Sequence, residues 1–351
     1  MVYQHRNALD FTVLSSFENW KAFIEKAESK YAYEIPLYSD ATLGFFDRLR
    51  AGPYQFFRTA PSNASEKPFR TIVVMRVEVH ITKADLAWLA DLEKTDDAAY
   101  HGGDLNDEIA ALLSLLLGVR LMPGTETRQF NSRFDPLGIP GDSSVIPTLG
   151  ISSAQTIIPR LQRNVEVRKL PDIFETYPAL ERTDALMLVK AARQYQQAIW
   201  YADTDPNLAW LMLVSAVETA ANHWRNEKGA SKKFIEFVSH FLPGPPERRP
   251  SGRGRFPFEE KTKLEEALRK IYKYRSKALH EGKPFPAPMC HSPGRYGGDD
   301  EIAEIPAGLA TGALGSTWRN EDTPMALHTF EHIVRSSLTE WWRSMAGRHG
   351  R

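Results

Sequence analysis

Among side chains able to do chemistry without help from a bound group, Arg275 and His280 draw notice first, in the stretch KYRSKALHEGKPF over 273–285. A histidine of ordinary pKa near 6.5 can take a proton at neutral pH. A guanidinium can hold phosphate oxygens through paired hydrogen bonds as negative charge develops on them. The spacing alone decides little. The chain has 27 Arg and 10 His, so an Arg five to seven residues before a His arises about twice by chance. It occurs twice, as Arg275 with His280 and as Arg343 with His349 in the polar tail.

Arg275 lies in FEEKTKLEEALRKIYKYRSKALHEG (258–282), which the periodicity predicts as one long helix stopped by Gly282. Leu264, Leu268, Ile271, Ala278 and Leu279 recur at three and four residues and predict a single apolar stripe, with Arg275 upon it. A charge placed there needs an anionic partner, because an unpaired buried charge is very costly. The expected partner is Glu218, the lone acid of LAWLMLVSAVETAA, flanked by Val214, Val217 and Ala221 as core positions. In one reading this buried pair is purely structural and fixes how two helices meet. In the other it prepares Arg275 for chemistry with His280. Five residues of ideal helix turn through about 140°, so the two side chains leave on different faces. They meet only if the helix deforms near Gly282 or a second copy of the chain faces the first, which makes a dimer-interface site the expectation.

The elements that must hold these residues are legible as patterns. After Pro178 the chain reads as all-helical. ERTDALMLVKAARQYQQAIWYA (181–202) and NLAWLMLVSAVETAANHW (207–224) are separated by DTDP and predict an antiparallel hairpin, with Pro206 at a first helical position. Shorter SKKFIEFVSHFL (231–242), the 258–282 helix and TPMALHTFEHIVRSSLTEWWRSM (323–345) follow, parted by loops at 243–257 and 283–323. The first half mixes signals. A helix is expected over 16–32 with Ser16 as its cap, a strand over 71–81, a short helix in ADLAWLADLEK, and a helix over 106–118 between Asp104 or Asn106 and Gly118. Short strands and the Pro/Gly-rich 135–150 complete it. The expected fold is an α+β domain over 1–170, of unassigned function and a candidate sensor, followed by an all-α helical bundle over 171–351.

Composition bounds the rest. The chain has 351 residues, a formal net charge of zero and 25% charged residues, within the range of globular proteins and suited to two domains. Cys290 is the only cysteine, so no intrachain disulfide forms. MVYQHRNALDF lacks the succession of a secretory signal, and the longest apolar runs, 109–119 and 208–217, are too short for a bilayer. These features predict a cytoplasmic protein with no membrane partner. Charge is uneven, however: Arg225 to Lys283 holds 16 Lys and Arg against 8 Asp and Glu, an excess able to attract a phosphate backbone.

The hairpin carrying WLMLVSAVETA, followed by a helix ending IYKYRSKALHEG, resembles the HEPN superfamily, specifically its Apea-like branch. That branch carries Tyr-x-x-Arg-Ser-x-x-x-His-Gly, matched here by Tyr272, Arg275, Ser276 and His280, with Glu281 intervening before Gly282. The resemblance covers roughly 180–346. It implies a metal-independent endoribonuclease in which Arg275 and His280 of two protomers line a cleft, supported by Glu218, Ser276 and Tyr272. Products would carry 2′,3′-cyclic phosphate ends, and the setting would be phage defence or a toxin-like stress response. The alternative it implies is a non-catalytic dimerisation or nucleic-acid-binding regulator.

Other patterns carry less. HTFEH (328–332) matches a zinc-peptidase string, but a third ligand would have to be Glu340, and the helical wheel sets both His on a solvent-facing flank. Cys290 and His291 lack spaced partners. ERRPSGRGRF offers Arg248, Arg249, Arg253 and Arg255 beside Phe256, a composition suited to wrapping single-stranded RNA or to a solvated loop. With no phosphate loop, nucleophile elbow or dinucleotide fingerprint, no cofactor and no metal are expected.

Overall fold

The structure, a computed structural model, describes residues 15–45, 48–58, 70–80, 101–131, 156–162, 164–226, 229–242, 261–293, 302–306 and 317–349. The Arg-rich stretch with Arg248, Arg249, Arg253 and Arg255, the ADLAWLADLEK segment and the Pro/Gly-rich 135–150 lie outside them. Two compact units emerge, one drawn from 1–148, 162–189 and 348–351, the other from 149–161 and 190–347. This differs from a single boundary near residue 170.

The first unit is built on strands. Helix α1 (Ser16–Ile24) is capped by Ser15, whose side chain accepts from the Glu18 N–H, one residue before the expected cap. It stops well short of residue 32. Lys26 takes a left-handed backbone (φ 58°), and from Ser29 the alternation of Tyr31, Tyr33, Ile35 and Leu37 suits a pleated strand, so the chain becomes β1 (Ser29–Ser39). β2 (Thr42–Phe45), β3 (Leu49–Ala51), β4 (Tyr54–Arg58) and β5 (Arg70–His80) follow, and after helix α2 (Leu105–Leu117) come β6 (Met122–Pro123), β7 (Arg128–Phe130) and β8 (Asn164–Val167). One sheet runs in the order β3-β4-β5-β1-β6, with β7 also pairing β1, while β2 and β8 pair in parallel. α2 keeps both expected ends: a capping box of Asp104 and Asp107, and Gly118 in the left-handed region at φ 62°.

Register makes this sheet two-faced. Ile35, Met75 and Phe56 are paired neighbours across three strands, as are Tyr33, Val77 and Tyr54, and all are buried. Trp20 of α1 meets Tyr54 edge-on at 5.4 Å on that side. The next row, Glu34, Arg76 and Gln55, belongs to the opposite face and is also buried.

The second unit is helical. α3 (Arg182–Tyr201) enters it, followed by α4 (Pro206–Trp224), α5 (Ala230–Phe241), α6 (Lys261–Glu281) and α7 (Leu327–His349). Asp205 caps α4 and Pro206 sits in its first turn, as expected. Thr219 donates to Gln194 at 2.9 Å, tying α4 back against α3 as an antiparallel hairpin. The core gathers around Trp210, stacked on Phe285 at 5.2 Å and on Phe330 at 4.9 Å, with Phe234, Phe237 and Trp341 beyond. The 283–323 segment is not featureless: Ala287–Cys290 and Asn320–Asp322 form 3-10 turns, and Lys270 and Tyr274 of α6 donate to the carbonyls of Glu321 and Asp322. Among the described residues no helix is long and apolar enough to cross a membrane.

Candidate functional site

Helix α6 buries Leu264, Ala267, Leu268 and Ile271, and there the apolar stripe stops. Leu279, expected on the same stripe, is 53% exposed. Residues beyond the helix replace it: Phe285 and Met289 are buried, Phe285 stacks on Trp210, and Met289 accepts the Trp210 indole N–H at 3.1 Å. The last two turns of α6 are thereby left at the surface.

Arg275 stands where burial gives way to exposure. Its Nη2 donates to Glu218 Oε2 at 2.6 Å, and the Tyr272 hydroxyl donates to Glu218 Oε1 at 2.8 Å. One carboxylate therefore positions both groups. The expected partner is present, but the pair is half-buried rather than fully buried, with side-chain exposures of 21% for Arg275 and 15% for Glu218. Arg275 Nε is enclosed without a hydrogen-bond partner among the described residues. Burial, then the hydrogen bond and charge of Glu218, push the Tyr272 phenol up to about 12, so it stays a donor throughout the neutral range. Both Glu218 oxygens are thereby engaged, and the guanidinium keeps further N–H groups for a ligand.

His280 is exposed on α6 and Ser276 is half-buried. The helix remains regular through Glu281. Gly282 then takes the left-handed conformation at φ 65°, and the Lys283 N–H reaches back to the Lys277 carbonyl at 3.3 Å, closing the helix end. The intervening Glu281 is absorbed by Lys283 at 2.7 Å, whose hydrogen bond and charge hold its carboxyl below the usual range. Regular helix fixes the offset of Arg275 and His280 at about 140° around the axis and about 7.5 Å along it. A single chain does not bring them to one point.

The HTFEH histidines are not solvent-facing. His328 is 2% and His332 7% exposed. The periodicity of α7 alone does not reveal that its polar flank is packed as well: His328 Nε2 lies 2.7 Å from the Ala303 carbonyl, and Glu331 accepts from Tyr195 of α3 at 2.6 Å and from Arg335 at 3.2 Å. His332 lies 3.4 Å from Arg335 Nη2. These contacts describe a buried polar seam between helices. No group of three His, Cys, Asp or Glu able to hold a metal ion exists among the described residues. Cys290 is inert at neutral pH, its thiol pushed up to about 12 by burial and then by Asp205.

Sequence reading missed the buried ionic contacts of the first unit, Arg120 with Asp40, His101 with Glu108, and a cluster around Glu34. In the first unit Glu34 accepts from Arg76 at 2.9 Å and from Arg128 Nε at 2.7 Å, and the Arg76 guanidinium lies over Phe57 at 4.4 Å and Phe130 at 5.0 Å. The available signal was the charge at alternate positions in MRVEVH, which marks one face of the strand as polar but not as covered. No family model, curated protein or solved structure matches the chain.

Proposed function

We propose that the chain is a metal-independent endoribonuclease of HEPN type that works as a two-fold dimer, with Arg275 of one protomer and His280 of the other at each site. The observation carrying this reading is the Glu218 carboxylate holding Arg275 beside an exposed helix end that presents His280. His280 takes the proton of a ribose 2′-hydroxyl, and the 2′-oxygen bonds to the adjacent phosphorus. The bond from phosphorus to the 5′-oxygen breaks, leaving a 2′,3′-cyclic phosphate, while the departing 5′-oxygen regains a proton from the imidazolium or from water. Arg275 meets the charge gathering on the non-bridging oxygens. Exposed Leu279 beside His280 supplies apolar surface for a partner.

A non-catalytic reading has its own support in the divergence of Arg275 and His280 on a regular helix. One experiment separates the two. Purified protein incubated with mixed-sequence single-stranded RNA is expected to give cyclic phosphate ends, with EDTA making no difference. His280→Ala and Arg275→Ala should each lose two to four orders of magnitude in rate. Cleavage surviving His280→Ala, or ending in EDTA, would refute the mechanism.

A further inference from the structure

At the far end of α4 stands an arrangement that the Arg275 site does not use. Trp224, the last residue of the helix, has the Arg225 guanidinium over its ring at 4.1 Å and the His240 imidazole stacked against it at 5.0 Å, the planes 28° apart. The edges of Phe237 and Phe241 brace the indole at 5.9 Å and 5.3 Å. The braces are buried in the core, whereas His240 is exposed and the Arg225 side chain is 43% exposed. Three planar groups are thus stacked on a rigid footing at the surface. Ordinary packing does not require this, since an indole seeking only burial would not carry two charged or titratable planes toward water.

We propose that Trp224, Arg225 and His240 form a stacking platform for the bases of single-stranded RNA. Guanidinium and imidazole planes are among the surfaces on which unpaired bases stack, and every base offers a face for it. The electrostatic setting agrees: Lys232 and Lys233 lie in the first turn of α5, Glu236 pairs with Lys232 at 3.6 Å and with Arg225 at 3.4 Å, and the sequence from Arg225 to Lys283 carries 16 Lys and Arg against 8 acids. The position is also apt. The Phe285 N–H donates to Asn207 at 2.9 Å, which sets the end of α6 beside the start of α4. The platform lies 17 residues further along, roughly 25 Å by helical rise. An RNA strand several nucleotides long would touch both places. The choice of RNA rests on the ribonuclease reading, but binding here does not depend on cleavage.

The test is fluorescence anisotropy of a labelled 2′-O-methyl oligouridine of about 12 nucleotides, which cannot be cleaved, titrated with the full chain at about 50 mM salt. The parent should bind. Trp224→Ala should weaken binding five- to hundred-fold, with Trp224→Phe retaining most of it. Arg225→Ala and His240→Ala, at exposed positions, should each weaken it several-fold without changing the thermal melt, so a folding defect in Trp224→Ala would not blunt the result. No binding by the parent, parental affinity in both exposed-site variants, or equal competition by duplex RNA would overturn the proposal. Parental binding without cleavage of ordinary RNA would count against the ribonuclease alone, and cleavage with binding indifferent to all these variants against the platform alone.

Discussion

Glu218 works as a clamp because it engages two donors at once, and its partial exposure sets the cost of removing it. Breaking a fully buried pair costs about 3–5 kcal/mol. With water reaching both side chains, Glu218→Gln and Arg275→Met should each lower unfolding free energy by about 1–3 kcal/mol in urea melts, and the double variant should lose less than the sum. Parental stability in both single variants would disprove the clamp. Tyr272 adds a pH signature. Its folded pKa is raised above the ordinary value, so its contribution is complete below about 10 and is lost as pH rises through about 12. The stability difference between parent and Tyr272→Phe should therefore shrink across that window, and an unchanging difference would rule out the assigned hydrogen bond. At this scale the sequence was informative where a charge interrupted an apolar frame, as at Glu218. It was uninformative for His328, which meets the Ala303 carbonyl, and for the polar flank of α7 around His332, where Glu331 is met by Tyr195 of α3.

Elements were legible where period and caps agreed. Asp104 with Gly118, Asp205 with Pro206, and Gly282 mark ends that a sequence reader can place. The first helix was overextended because KAESKYA continues an acceptable helical spacing. Only pairing with β5 makes the alternation in β1 decisive, and that pairing joins residues some forty positions apart. Two glycines test these boundaries. Gly282 takes φ 65° with open space around it, so Gly282→Ala should cost only about 1 kcal/mol while leaving α6 intact. Gly52, at φ 54°, faces the Trp20 indole so closely that a Cβ would overlap it. Gly52→Ala should cost several times more, because strain and overpacking of the core add. Equal melting temperatures for the two variants would contradict the contact between the β3–β4 turn and α1.

For the whole molecule, the two units interleave along the chain in a way that local pattern could not reveal. The described stretch 156–161 belongs with the helices, where the Ile157 N–H donates to Asp203 and Ser292 donates to the Thr156 carbonyl, both long-range bonds within the helical unit. The helical character of that unit was readable from periodicity, while the proposed two-fold assembly rests on the fixed offset of Arg275 and His280. That offset yields a quantitative prediction. In the proposed two-fold dimer each site takes Arg275 from one protomer and His280 from the other. Mixing Arg275→Ala with His280→Ala protein gives heterodimers in which one site carries both substitutions and the other carries none. At equal concentrations about half the dimers are mixed, each with one working site, so ribonuclease activity should recover to about one quarter of the parental level from two inactive proteins. If Arg275 and His280 instead acted within one chain, every site in the mixture would hold a substitution and no activity would return. Leu279→Glu should abolish the recovery by charging the exposed contact next to His280, with light scattering shifting to the monomer mass. Recovery that persists with Leu279→Glu would move the interface away from the end of α6.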